Sequence, residues 1–161
     1  GGLTTFREGL RKSMNLISVR MVQQDIAPAE QVKQMAKRMG INSDIRAVDA
    51  IALGTSEVYP IEIVSAYAAL ANQGVYSKPF GITRVEDRYG NVIKEYYPDR
   101  KEVLSEETAY LMTSLMQTVM DRGTGGSARW KYKFNRPAAG KTGTTQGWSD
   151  AWFVGLSLIH I

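Results

Sequence analysis

The sequence predicts an α+β chain in which helices pack against antiparallel strands. Three observations carry that expectation. Apolar residues recur at helical spacing in segments that open on capping residues or on proline. Two short stretches, Ile82 to Glu86 and Val92 to Tyr97, read as a hairpin around Asp87-Arg88-Tyr89-Gly90-Asn91. The small-residue stretch Ala138-Ala139-Gly140-Lys141-Thr142-Gly143-Thr144-Thr145 precedes the polar turn Gln146-Gly147-Trp148-Ser149-Asp150 and the apolar run Ala151 to Gly155. It reads as a strand with an open face from which one lysine projects, followed by a second strand.

In chain order, Thr5-Phe6-Arg7-Glu8 fits a capping box, with the threonine oxygen accepting from the first turn and Glu8 reaching back, so a helix should run from about Phe6 to Lys12. Leu16, Val19, Val22 and Ile26 predict a second helix that ends before Pro28. Ser13 and Asn15 sit at its entrance and, taken alone, read as N-caps. Pro28 to Met39 reads as a third helix with Val32, Met35, Ala36 and Met39 in the core and Gly40 as its stop. After an irregular stretch, Pro60 opens an alanine-rich helix closed by Asn72-Gln73-Gly74. Ser105-Glu106-Glu107 caps another, with Leu111, Leu115, Thr118 and Val119 expected on its apolar face and Arg122-Gly123-Thr124-Gly125-Gly126 as a flexible loop after it. Arg129-Trp130-Lys131-Tyr132-Lys133-Phe134-Asn135-Arg136 alternates basic and aromatic residues. It reads as a connector whose aromatics pack down, in preference to a stacking surface for nucleic acid.

Composition narrows the chemistry. The chain has 161 residues, about one domain, and 43% apolar content, enough for a core. A formal charge of +4 suits an anionic partner such as a nucleic acid, an anionic membrane surface or a carboxylate-bearing substrate. Zero cysteines exclude a disulfide framework and a thiolate metal site, and a single histidine, His160, argues against both histidine-ligated zinc and a Ser-His-Asp triad. No metal or cofactor is expected. A hydrolase or acyl transferase built on this chain must take lysine, serine or a carboxylate as its base. No run approaches the ~18 apolar residues of a membrane span.

The order of motifs resembles the C-terminal half of the transpeptidase domain of class A, bifunctional penicillin-binding proteins. Thr4-Thr5-Phe6-Arg7-Glu8-Gly9-Leu10 with Ser13-Met14-Asn15 is similar to the segment carrying that family's second motif. Ala52-Leu53-Gly54-Thr55-Ser56-Glu57-Val58, Arg122-Gly123-Thr124-Gly125, Lys141-Thr142-Gly143 with its flanks, and Asp150-Ala151-Trp152-Phe153-Val154-Gly155 follow in order. The resemblance implies a β-lactamase/transpeptidase-like fold, here incomplete. It also implies a serine-type D,D-transpeptidase that cross-links peptidoglycan stem peptides and is the target of β-lactam antibiotics.

By that resemblance Ser13, Asn15 and Lys141 are catalytic, and Thr142, Gly143 and Thr144 bind substrate. Ser13 relays a proton, Asn15 holds the substrate amide, and Lys141 supplies positive charge beside both relay and substrate carboxylate. Thr142 and Thr144 donate hydroxyls to that carboxylate, Gly143 lets the strand come close, and the Thr144 N–H forms half of an oxyanion hole. Glu57 reads as a buried or capping carboxylate and Arg122 as a loop anchor. The family's first motif, Ser-x-x-Lys, is expected upstream of Ser13, so the excerpt alone should form no acyl-enzyme. An extracytoplasmic location and an upstream membrane anchor are implied for the parent; nucleic acid is not expected as a partner. The alternatives are a D,D-carboxypeptidase or β-lactamase-type hydrolase, and a noncatalytic β-lactam-sensing or wall-binding module. Residues 1–155 are assigned to the transpeptidase domain. Residues 156–161 resemble a translated sequencing adapter and read as a non-native tail.

Overall fold

A computed structural model describes residues 2–145 and 150–159. The polar turn expected across 146–149, and His160, lie outside the described residues. Helices α1 (Phe6–Arg11), α2 (Asn15–Gln23) and α3 (Ala29–Arg38) lead through a 3-10 turn at Asp49–Leu53 to α4 (Pro60–Ala71). Four short strands follow, β1 (Val75–Ser77), β2 (Arg84–Glu86), β3 (Val92–Glu95) and β4 (Arg100–Glu102). Helices α5 (Glu106–Arg122) and α6 (Ser127–Trp130) then precede β5 (Ala138–Thr144) and β6 (Ala151–Ser157). The strands form three antiparallel pairs, β1 with β4, β2 with β3, and β5 with β6. The mixed, antiparallel architecture is the one expected.

Local chemistry explains most boundaries. Thr5 caps α1, accepting from the Glu8 N–H at 3.2 Å, while the Glu8 carboxylate turns forward to the Arg11 guanidinium at 2.8–2.9 Å instead of closing the expected capping box. Ser105 caps α5 by accepting from the Thr108 N–H. Pro60 occupies the first turn of α4, where its missing N–H has no helical partner to lose. The Asp87 carboxylate accepts from the backbone of Tyr89 and Asn91, holding the β2–β3 turn. Helix α2 stops at Gln23, short of Pro28, because Asp25 takes a left-handed conformation, φ 57°.

The main core gathers Leu70 of α4, Ala109 and Met116 of α5, Ala139 of β5 and Leu156 of β6, with Leu10 and Met39 packed against it. Leu156 and Leu158, both in the stretch read as a tail, lie on this cluster, and the Leu158 N–H donates to the Pro137 carbonyl. A second cluster joins Ile41 and Ile45 to Ala66.

Three expectations about burial fail. On α5 the buried positions are Ala109, Thr113, Met116, Val119 and Met120, a stripe one step away from the leucines, and Leu111 is 60% exposed. Strand β5 is small along its inner edge, so α5 packs closest through small and flexible side chains. Met35 of α3 is also exposed at its own rim. Trp130 and Tyr132 stand in solvent at 68% and 70% exposure; they do not pack down, because Arg129 ties the segment back through its own bonds to Asp121 and to the Phe134 carbonyl.

Candidate active site

Ser13 owes its place to the end of α1. The Ser13 N–H donates to the Leu10 carbonyl at 3.1 Å and the Met14 N–H to the Gly9 carbonyl at 2.9 Å. That pair of bonds is the Schellman ending, which requires a left-handed residue between them, and Ser13 has φ 53°. Helix α3 ends the same way with Gly40 at φ 95°. A serine where glycine is the unstrained choice costs about 1 kcal/mol. Ser13 is therefore no N-cap; Met14 holds that position in α2 and Asn15 is the first helical residue. The Asn15 carboxamide is exposed and bonds no other described residue.

Lys141 projects from the middle of β5, paired in register with Val154 of β6. Its ammonium donates to Ser13 Oγ at 2.8 Å and to the Thr142 carbonyl at 2.9 Å, and lies 3.5 Å from Thr142 Oγ1. No carboxylate among the described residues pairs with it. Partial burial disfavours the ammonium and draws its pKa below the ordinary lysine value. Because a lysine ammonium only donates, it engages a lone pair of Ser13 and leaves the serine proton free to be given elsewhere.

Gly143 and Thr144 continue β5 onto exposed ground. A side chain at Gly143 would meet only Trp152 Cβ at 3.8 Å, ordinary contact distance, so the protein itself leaves room there. Any need for glycine arises from what approaches the strand. Of the candidate residues, Lys141 meets Ser13 and lies beside Thr142, and Gly143 and Thr144 follow them on β5, whereas Asn15, two residues after Ser13, is joined to none of them.

Sequence reasoning missed two residues at this site. Thr124, in the loop after α5, places its hydroxyl 2.8 Å from that of Thr142, and its N–H donates to the Arg11 carbonyl at 3.2 Å. Arg11 also donates from its guanidinium to the Arg122 carbonyl. The Gly123 backbone fits so closely that a Cβ would come within 2.5 Å of the Arg11 carbonyl oxygen. The expected flexible loop is therefore hydrogen-bonded throughout, with Gly123 and Gly125 both donating to the Val119 carbonyl. The Arg-Gly-Thr-Gly string was the available signal, but glycine-rich composition pointed to mobility. Arg122 does anchor the loop, through its backbone. Glu57 is exposed, so its reading as a buried carboxylate is corrected. Among the described residues no cluster of His, Asp or Glu could hold a metal ion.

Comparison with known proteins follows the same lines. The model of the penicillin binding protein transpeptidase domain matches residues 1–157. Penicillin-binding protein 1A of Aquifex aeolicus is 36% identical over 156 residues, 97% of this chain but 21% of the relative's length. The crystal structure of penicillin-binding protein 1A from Haemophilus influenzae superposes with a TM-score of 0.86 at 24% identity, covering 95% of this chain and 28% of that one. The PonA1 protein from Mycobacterium tuberculosis in complex with penicillin V gives 0.77 at 25% identity, covering 98% and 46%. With Lys141 Nζ 2.8 Å from Ser13 Oγ and a family model running almost from end to end, the chain belongs to the penicillin-binding protein transpeptidase family.

Proposed function

We propose that the chain is the part of a peptidoglycan D,D-transpeptidase that carries the second and third active-site motifs, within a longer protein that supplies the nucleophilic serine and its lysine base. The observation that supports this reading most is the 2.8 Å bond from Lys141 Nζ to Ser13 Oγ, made across 128 positions of sequence. On this reading the external serine attacks the penultimate carbonyl of a D-Ala-D-Ala stem. The tetrahedral intermediate expels D-Ala as the C–N bond breaks, and the acyl group passes to an amine of a neighbouring stem. Ser13, its lone pair held by the ammonium, hands its proton to the departing nitrogen and recovers one from the nucleophile. Asn15 holds the stem amide. Lys141 with the Thr142 and Thr144 hydroxyls receives the terminal carboxylate, and the Thr144 N–H contributes to the oxyanion hole. Gly143 lets the substrate backbone lie against β5. The whole protein is assigned an extracytoplasmic position behind an upstream membrane anchor. No helix among the described residues is long and apolar enough to cross a membrane.

The test is intact-mass detection of a penicillin adduct on the full-length protein. A one-to-one adduct is expected, forming about 100-fold more slowly in Lys141→Ala. Its rate should fall on the alkaline side below the ordinary lysine value of about 10.4, since burial lowers the pKa of Lys141 and the neutral amine can no longer polarise Ser13. Lys141→Arg should lose that alkaline limb. A folded protein that takes no adduct would leave a noncatalytic binding module, and adducts that turn over in water without an amine acceptor would indicate a hydrolase.

A further inference from the structure

We propose that Thr124 is a positioning residue of the acyl-transfer site, fixing the Thr142 hydroxyl and, through it, the ammonium that holds Ser13. The inference rests on the transpeptidase reading for its activity and on geometry for its mechanism. Lys141 has three protons to give; two go to Ser13 Oγ and the Thr142 carbonyl, and the third faces Thr142 Oγ1 at 3.5 Å. An ammonium beside that oxygen demands a lone pair from it. The Thr142 proton is thereby turned away, towards Thr124 Oγ1 at 2.8 Å, the favoured distance for a hydroxyl pair. In the site without substrate Thr124 thus holds the Thr142 proton in place, and an arriving carboxylate takes that proton over while the hydroxyl pair turns about its oxygen–oxygen contact.

Thr124 can set Thr142 because its own backbone is fixed. Its N–H donates to the carbonyl of Arg11, two residues before Ser13, and the flanking Gly123 and Gly125 donate to Val119 of α5. The fit at Gly123 allows no side chain. The loop therefore brackets the site, touching the segment that ends in Ser13 with its backbone and β5 with its hydroxyl. An exposed bond between two hydroxyls adds little to stability, since water replaces it readily. Its value lies in removing rotamer freedom from Thr142.

The experiment uses the full-length protein with Thr124→Val, which keeps the branched shape without the hydroxyl, and Thr124→Ser, which keeps the hydroxyl. Two quantities are measured: the second-order rate constant for acylation by penicillin, and the γ-methyl NMR signal of Thr142. Thr124→Val should slow acylation by about tenfold at unchanged thermal midpoint and shift the Thr142 methyl towards rotamer averaging, while Thr124→Ser restores both. Equal rates and an unmoved Thr142 methyl in Thr124→Val would overturn the proposal, as would a slow Thr124→Ser. If no form is acylated but the methyl responds to Val and not to Ser, the positioning role stands and the transpeptidase reading falls.

Discussion

At the scale of single residues, Ser13 couples a backbone requirement to a chemical one. Its φ of 53° belongs to the end of α1, and its hydroxyl belongs to Lys141. Replacing it separates the two. Ser13→Gly should be more stable than Ser13→Ala by about 1 kcal/mol, because glycine takes the left-handed conformation without strain, whereas on the proposed reading the full-length protein carrying either should lose acylation alike. Thermal denaturation alongside penicillin labelling checks this. The candidate residues were named from the sequence because Lys141-Thr142-Gly143 and Ser13-Met14-Asn15 spell family motifs, and the structure brings Lys141 to within 2.8 Å of Ser13. Their local roles were not legible there. A serine before a helix is usually a cap, and nothing in the string distinguishes that from a serine ending the helix before. Thr124 was hidden for a related reason, because a partner 18 positions away leaves no local trace.

At the scale of elements, capping and proline placement located α1, α4 and α5, and Asp87 located the β2–β3 turn. The β1–β4 pair went unread: three-residue strands, Val75–Ser77 with Arg100–Glu102, show no alternation, and their pairing spans a hairpin between them. The face of α5 was set only in part: Val119 is buried as expected, but Leu111 is exposed, because leucine is the stronger hydrophobic signal while β5 demands close approach. Helix α5 yields a stability prediction on that corrected face. Met116→Ala, fully buried, should cost about 2–5 kcal/mol, while Leu111→Ala on the exposed side should stay within about 0.5 kcal/mol. Thr113→Val should gain about 1 kcal/mol, because the Thr113 hydroxyl is buried without a partner among the described residues. Denaturant titration of the three variants measures all of these.

At the scale of the whole molecule, the fold class followed from periodicity and the family from motif order, and both agree with the observed architecture and with the family match. Exposed surface was less legible. Phe6, Leu16, Trp152 and Phe153 are each at least half exposed, and the chain covers 46% of the PonA1 chain it resembles. Large apolar side chains left in water form a surface that further protein covers where they lie together. The chain produced alone should bind a hydrophobic dye and self-associate in sedimentation, and the full-length protein should do neither. The bond between Ser13 and Lys141 carries a final consequence, for folding kinetics. It closes a loop that embraces most of the described chain, so its formation requires the end of α1 and strand β5 to meet across that span, a slow step by loop-closure entropy. On the proposed reading, competence of the full-length protein to react with penicillin is therefore a late event in its folding, and the appearance of label during its refolding should time the joining of these two segments.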